Sequence, residues 1–457
     1  MLRLIPPAVF LILALSFLGR ETHADPLGPG PDLGAPAVPN EVMVRLTPDA
    51  FALSDRVLAL RLGGQVAVRL PELNVVRLRL PDGEPLAEAV ARIGSLAGVA
   101  FAEPNLLLQT SSTPNDPFFS TQNAYLSLID APPAWDIETG RDSVLVAVLD
   151  TGIDLDHEDL REKVWTNVFE IAGNSADDDR NGCVDDVHGC SFVTSATADP
   201  ACAVAPQGSV TDDNGHGTFI SGIIAAHGNN ALGVTGAAPG VTVLPVKILD
   251  CTGSGTAADA AQGLLYAARM GARVANISFG AEGESNTLGN AIHLARLSYG
   301  MVIVAATGNE GAGVVSFPAS LPDVIAVASS GTSSDTRARS PFSNWGPEVT
   351  IAAPGLNIVS TVPPAFCNVL WLCVQGQPYA LASGTSFAAP LVSALAALVI
   401  SHNPNIPADA VMAVIIATAE DLPDGDAPGW DGAGRIRMRA ALSQPRYFIG
   451  APGITRE

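Results

Sequence analysis

Positive charge is scarce in this chain of 457 residues, where 24 lysines and arginines stand against 46 aspartates and glutamates for a net charge of -22. Lysine occurs only at Lys163 and Lys247. A protein that tracks a phosphate backbone needs a cationic face to release counterions. No basic cluster provides one, so nucleic acid is not expected as a partner. Apolar runs are short as well. Beyond the N-terminus no segment continues without Gly, Pro or charge for the about 20 residues that cross a bilayer, so no membrane anchor is expected. Charged residues make up 15% of the chain and hydrophobic ones 47%. That balance rules out a disordered tail or a miniprotein held by disulfides alone, and it supplies core for two or three domains.

What is present begins with a compartment signal. After Arg3, the apolar run from Ala8 to Leu18 is too short for a bilayer and is followed by the small-residue cleavage site Thr22-His23-Ala24. This reads as a secretory signal peptide over residues 1–24, which gives a secreted or extracytoplasmic product. Six cysteines, Cys183, Cys190, Cys202, Cys251, Cys367 and Cys373, fit that compartment, because an even count there favours disulfides over free thiols. Their pairing stays open, and only Cys367 and Cys373 are near enough in sequence to suggest a local closure. Without histidines at ligand spacing, zinc is the weaker reading.

Residues 25–40 hold Pro26, Pro29, Pro31, Pro36 and Pro39 and read as a stiff linker. A small unit follows over 41–109. Val42, Val44 and Leu46 alternate as on a half-buried strand, Leu53, Val57 and Leu60 step at helical spacing, and Val76, Leu78 and Leu80 alternate again. Leu86, Val90, Ile93 and Ala97 mark a second helix, and Val99 to Leu108 a last strand containing Pro104, for an approximate βαββαβ, ferredoxin-like order. From about Thr110 the apolar runs lengthen: Val144–Leu149, Val243–Leu249, Val274–Ile277, Met301–Ala306 and Val324–Ala328. They do not alternate, as expected of strands buried on both faces. Helical segments at Ala257–Met270 and Leu288–Tyr299 lie between them, so residues 110–445 are expected to form an α/β domain with a parallel central sheet and helices on both faces. Residues 446–457 are left as a short tail. Sites in such sheets lie beyond the carboxyl ends of the strands.

Three segments there carry chemistry. Asp150 ends the first long run and opens Asp150-Thr151-Gly152, which could also be a turn or a cap. An aspartic protease would need a second such triplet, and the chain has none. His216 lies between glycines in Asn214-Gly215-His216-Gly217-Thr218, and Ser386 lies in Ser383-Gly384-Thr385-Ser386 ahead of the apolar helix Leu391–Ile400, where an N-cap is the bland alternative. A serine hydroxyl is a poor nucleophile unless an imidazole takes its proton and a buried carboxylate orients that imidazole. Asp, His and Ser in this order meet the requirement.

These three segments, with Ala305-Ala306-Thr307-Gly308-Asn309-Glu310-Gly311, resemble the active-site signatures of the subtilisin-like serine proteases over residues 115–442. The resemblance implies a secreted serine endopeptidase acting on proteins or peptides through Asp150, His216 and Ser386. Asn309 and the Ser386 backbone N–H would be the oxyanion donors. It also implies that Gly253-Ser254-Gly255 and Ser278-Phe279-Gly280 flank a substrate bound as an added strand, and that Ala306, Thr307 and Gly308 line the pocket beside the nucleophile. Two positions depart from the common pattern. Thr307 stands for a small apolar residue and would make the pocket floor more polar, while Phe219 stands for a frequent second histidine. Both put specificity in doubt and leave the reaction type alone.

The resemblance implies calcium too, held by side chains of Asp116, Asp159 and Asn230 with the carbonyls of His227, Leu232 and Val234. A second candidate is Asp177, Asp179, Asn181 and Asp185, whose spacing follows the first nine positions of an EF-hand loop without the closing glutamate. No organic cofactor is expected. The 41–109 unit resembles the family's propeptides, intramolecular chaperones and inhibitors, with cleavage expected within Leu108–Pro114 and a monomeric product whose one protein partner besides substrate is that propeptide. Two other readings compete. A degenerate calcium-binding fold that holds peptide without cleaving it is opposed by the intact Asp150, His216, Asn309 and Ser386. An esterase on an α/β-hydrolase fold is opposed by the missing Gly-x-Ser-x-Gly at Ser386 and by the chain order.

Overall fold

The computed structural model describes residues 37–81, 83–106, 113–194, 199–331, 338–422 and 427–444. The expected signal peptide, linker residues 25–36, most of the expected cleavage segment and the tail 446–457 lie outside them. The chain divides into two compact units on either side of residue 108.

The first unit runs β1 (Ala37–Leu46), α1 (Pro48–Phe51), α2 (Asp55–Leu62), β2 (Gln65–Leu70), β3 (Val75–Arg79), α3 (Leu86–Gly94) and β4 (Val99–Leu106). Its strands form an antiparallel sheet in the order β2-β3-β1-β4, the ferredoxin-like arrangement. Residues 37–40, expected as linker, belong to β1, where Ala37 pairs with Leu106. The face of α2 also differs from expectation. Leu58 and Leu62 are the buried pair, whereas Val57 and Leu60 are 45% and 81% exposed. The segment is apolar around most of its circumference, so spacing alone could not choose the stripe, and contact with the sheet selects the i, i+4 pair.

The second unit holds α4 (Phe119–Leu126), α5 (Ala131–Trp135), β5 (Leu145–Asp150), β6 (Cys190–Ser191), α6 (His216–Ala225), β7 (Thr242–Lys247), α7 (Ala257–Arg269), β8 (Val274–Ile277), α8 (Asn286–Tyr299), β9 (Val302–Ala306), β10 (Ile325–Ser330), β11 (Ile351–Pro354), β12 (Ile358–Thr361), β13 (Tyr379–Ala382), α9 (Thr385–His402), α10 (Ala408–Ala417) and α11 (Met438–Leu442). Seven strands make a parallel sheet in the order β11-β10-β9-β8-β5-β7-β6. The lack of alternation in its strands has a plain cause. Val146 and Val148 of β5 pack on one face with Phe219 of α6 and Leu391 of α9, while Ala147 and Leu149 pack on the other with Leu264 of α7 and Ile292 of α8. Every position of a central strand therefore meets apolar side chains. Helix α9 passes through the first layer and is buried over nearly its whole length, which explains its apolar character on all sides.

Because the sheet is parallel, the carboxyl ends of β5, β7, β8 and β9 lie along one edge, and they deliver Asp150, the 250–255 loop, Ser278 and the 307–309 loop to the same side. The cysteines pair as Cys183–Cys190, Cys202–Cys251 and Cys367–Cys373. The last closes the excursion between β12 and β13, an antiparallel ribbon.

Candidate active site

Asp150, the last residue of β5, is fully buried. Its Oδ1 lies 2.7 Å from His216 Nδ1 and also accepts the Thr151 N–H at 2.8 Å. Oδ2 is buried without a hydrogen-bond partner among the described residues. His216 is the first residue of α6, and the chain enters it through Gly215 at φ 103°. A Cβ on Gly215 would also lie 2.5 Å from Trp371 Nε1, so this position requires glycine on two counts.

Two groups that sequence reasoning did not single out fasten the Asp150 and His216 loops together. Asp212 accepts Thr151 Oγ1–H at 2.8 Å, the Gly215 N–H at 2.8 Å and the Thr218 N–H at 2.9 Å. Lys247, one of the two lysines, is buried and donates to Thr151 O at 2.6 Å and Asp213 Oδ1 at 2.7 Å. Burial lowers the His216 pKa, but the carboxylates of Asp150 and Asp212 more than offset it and hold the imidazole above its usual value.

Ser386 is the second residue of α9, one turn position inside the helix rather than its N-cap. Its Oγ donates to Ser278 O at 3.0 Å, and no hydrogen bond joins it to His216 in this structure. The adjacent Phe387 ring lies 5.6 Å from the imidazole. Hydrogen bonds of this kind are often long in ligand-free sites and tighten with substrate. Phe219 is fully buried, stacked on Trp371 at 5.2 Å and tilted against Phe387 at 4.6 Å. It supports the site from within the core.

Asn309 follows β9 by three residues. Its Oδ1 accepts the Thr385 N–H at 2.8 Å and Thr385 Oγ1–H at 3.0 Å. Both bonds occupy the amide oxygen, which leaves Nδ2 free as a donor beside the N-terminus of α9.

A cleft of about 650 Å³ opens at this point and is lined by Ser386, Thr385, Asn309, Gly308, Ala306 and the Ser278-Phe279-Gly280 segment, among others. Thr307 is not among its walls. It is fully buried and donates to Asn344 O at 3.3 Å, so the expectation that it polarises the floor is corrected. As β9 ends, alternate residues face opposite sides, and Ala306 and Gly308 take the cleft side. Polarity comes instead from Glu310, Ser316 and Asn344. Gly253-Ser254-Gly255 emerges from the loop after β7 and does not line this cleft.

The six residues expected at the first cation site converge. Asp116 and Asp159 are 4% and 1% exposed, and the 227–234 loop wraps them. Asp116 accepts the Asn229 N–H at 3.0 Å and the Asn230 N–H at 3.3 Å. Asp159 accepts Asn230 Nδ2–H at 2.7 Å and the Val234 N–H at 2.9 Å, while its carbonyl accepts the His227 N–H at 3.0 Å. Asn230 Oδ1 accepts the Leu232 N–H at 2.8 Å. Burial, with the Asp159 charge adding to it, raises the Asp116 pKa.

In the second loop, Asp177 and Asp179 are joined by Glu170, which sequence reasoning missed; the three carboxylates have oxygens within 4.8 Å of one another. Glu170 Oε2 is buried without a partner among the described residues, and burial with the charges of Asp186 and Asp178 raises its pKa. Asn181 donates its amide to Asp179 at 3.0 Å and Asp186 at 2.8 Å. Asp185 departs from expectation. Its backbone is left-handed (φ 55°) and its carboxylate accepts the N–H groups of Asn174 at 3.1 Å and Ser175 at 2.9 Å, away from the carboxylate group.

The subtilase family model matches residues 141–434 and a fervidolysin N-terminal prodomain model matches residues 32–105. A thermophilic serine proteinase of Bacillus sp. (strain AK1) is 38% identical over 312 residues, which cover 67% of this chain and 64% of that protein. Thermitase of Thermoactinomyces vulgaris is 35% identical over 330 residues, 72% of this chain and 99% of thermitase. Among solved structures, a protease from Pseudoalteromonas arctica superimposes with a TM-score of 0.59 at 28% identity, covering 73% of this chain and 99% of that one. With the parallel sheet and a family match across most of the second unit, the chain belongs to the subtilase family, the subtilisin-like serine endopeptidases.

Proposed function

We propose that the chain is made as a secreted preproprotein whose 110–445 domain is a calcium-stabilised endopeptidase using Asp150, His216 and Ser386. The observation that carries this reading is the 2.7 Å bond between His216 Nδ1 and buried Asp150, which leaves Nε2 of the same ring for the serine. In the first step Ser386 Oγ bonds to the scissile carbonyl carbon as its proton passes to His216 Nε2. The carbonyl oxygen takes the negative charge and is held by Asn309 Nδ2 and the Ser386 N–H. The C–N bond then breaks as His216 returns the proton to the leaving amine. Water repeats the sequence on the acyl-enzyme, gives its proton to His216 and restores Ser386. Asp150 keeps Nδ1 protonated and stabilises the imidazolium. A fluorophosphonate probe tests this. It should label Ser386 in the wild-type protein and not in Ser386→Ala, with casein hydrolysis lost in parallel. An unlabelled wild-type protein that hydrolyses nothing would leave only a peptide-binding role.

Calcium fits the oxygen-rich donor sets. Asp116, Asp159 and Asn230 with the 227–234 backbone would hold one ion, and Glu170, Asp177 and Asp179 would hold another, the cation offsetting carboxylates crowded out of water. The prodomain match supports a propeptide over 41–109 that acts as inhibitor and chaperone, removed by cleavage within Leu108–Pro114. Sequencing the N-terminus of the secreted protein tests this, and a start before Asn40 would refute it. Three disulfides support an oxidising compartment. The loops after β7 and β8, with Gly253-Ser254-Gly255 and Ser278-Phe279-Gly280, would flank the bound peptide strand.

A further inference from the structure

The excursion between β12 and β13 puts three apolar side chains into water. Val369, Leu370 and Leu372 are 76%, 60% and 84% exposed, so burial of its own hydrocarbon does not account for this loop. Its shape is nonetheless fixed. The Cys367–Cys373 bridge closes it, Phe366 O accepts the N–H groups of Leu370 at 3.0 Å and Trp371 at 3.1 Å, and Trp371 O accepts that of Asn368 at 2.7 Å. Trp371 alone of residues 369–372 packs against the core layer that holds Phe219 and Phe387. The indole meets that layer at the segment leading into α6. Its Nε1–H donates to Asn214 O at 3.0 Å. Its ring covers Gly215, where a Cβ would lie 2.5 Å from Nε1 and 3.1 Å from Cδ1, and it stacks on Phe219 with the planes 20° apart. Asn214 and Gly215 immediately precede His216, and Asn214 Oδ1 accepts the His216 N–H at 3.3 Å. Phe219 carries the contact on to Phe387, the neighbour of Ser386 that also lies beside the imidazole.

We propose that Trp371, held out by the Cys367–Cys373 loop, is a positioning residue for His216. The inference rests on the endopeptidase reading and adds a residue that sets the base against the nucleophile. Base and nucleophile stand on different helices, α6 and α9, so their separation depends on what fixes one helix start against the other. The N-cap of α6 is Gly215, which has no side chain to hold the first turn and the most permissive backbone of any residue. The indole supplies that restraint from outside, through a hydrogen bond to the Asn214 carbonyl and a flat face on the Gly215 backbone. Phe219, at the position where a second histidine is frequent, gives it a flat apolar partner. The disulfide limits the states the loop can visit, so less ordering entropy opposes the docking of the indole. A displaced imidazole is costly, because proton transfer at Nε2 needs the ring in line with Ser386 Oγ.

The test uses the mature protein, one fluorogenic peptide and a fluorophosphonate, all read well below the melting temperature of every variant. Trp371→Ala should lower kcat by about ten-fold or more with KM little changed. It should slow fluorophosphonate labelling of Ser386 by a similar factor, because labelling needs the same base and none of the peptide contacts. Trp371→Phe keeps a ring on Phe219 without the N–H and should recover part of both rates. The paired change Cys367→Ser with Cys373→Ser keeps the indole and frees the loop. It should give an intermediate loss, and it supplies a second readout should Trp371→Ala fail to fold. Leu372→Ser, on the exposed side of the same loop, should change neither rate. Wild-type kcat and labelling in folded variants that merely melt earlier would mean packing alone and overturn the proposal. A raised KM at unchanged kcat, or a loss in Leu372→Ser equal to that in Trp371→Ala, would mean a contact with substrate and overturn it too. In each of these cases labelling and hydrolysis by the wild type leave the endopeptidase reading standing. A wild-type protein that is neither labelled nor active overturns both.

Discussion

Ser278 and Ser386 hold each other through two opposed hydrogen bonds: Ser386 Oγ donates to the Ser278 carbonyl at 3.0 Å and Ser278 Oγ to the Ser386 carbonyl at 2.9 Å. The second bond exists because Pro390, four residues along α9, has no N–H to give that carbonyl. Asn276 Nδ2 donates to Ser278 Oγ at 2.9 Å, and Ser393 Oγ donates to Asn276 Oδ1 at 2.8 Å. The first turn of α9 is thus tied to the end of β8 by a buried polar chain. Ser278→Ala would strand the Ser386 carbonyl, at a cost of about 1–3 kcal/mol. A lower melting temperature and a lower kcat are expected, and Ser278→Thr should recover most of both. An unchanged melt and rate for Ser278→Ala would show that this chain does not position the serine.

Asn309 is oriented by Thr385, so the two residues should differ in what their loss does. Asn309→Ala removes the proposed oxyanion donor and should cut kcat by about 10²–10³ with little change in KM. Thr385→Val keeps the backbone N–H to Asn309 Oδ1 and loses only the hydroxyl, so its drop should be clearly smaller. Steady-state kinetics on one peptide compares them, and equal losses would contradict the orienting role.

The pH profile follows from the raised His216 pKa. In the proposed mechanism the base is the neutral imidazole, and the carboxylates of Asp150 and Asp212 keep it protonated to higher pH. The acid limb of kcat/KM should therefore lie above the ordinary histidine value of about 6.5, with activity lost as pH falls through it. The stability contribution runs the other way. It is fully present below the unfolded-state pKa and fades as pH rises through the folded one. Asp150→Asn should move the limb to lower pH as well as slow the reaction. A rate that stays flat down to pH 4 would exclude His216 as the base.

Chelation should destabilise the 110–445 domain. A cation at 100 times its dissociation constant contributes about 2.7 kcal/mol, so EGTA should lower the melting temperature by several degrees. Glu170→Gln separates the sites: it should reduce the calcium-dependent shift from the second loop and leave that from Asp116 and Asp159. Thermal melts with and without calcium measure both. No response to EGTA in either protein would refute calcium binding.

Much of the candidate active site was legible in the sequence because its pieces are local. Asp150 follows an apolar run that must be a doubly buried strand, His216 opens a helix behind a glycine, and Ser386 sits where an apolar helix begins. Chain direction in a parallel sheet then brings strand ends to one edge, whatever the details of packing. The amphipathic stripe of α2 was less legible, since Val57, Leu58, Leu60 and Leu62 all offer hydrocarbon and only the sheet chooses among them.

The primary structure alone determined the doubly covered parallel sheet, the small antiparallel unit before it and the residue types of the candidate site, since strand period and turn chemistry act over a few neighbours. Tertiary structure decided the cysteine pairing, the entry of Glu170 into the acidic loop and the exit of Asp185, the burial of Thr307, and the hydrogen bond from Asn344 to Glu310 across 34 residues of chain. Such contacts depend on which side chains meet when separate elements dock. That is set by the shape and hydrogen-bonding needs of the packed interior, where a buried polar group must find a partner wherever one lies along the chain.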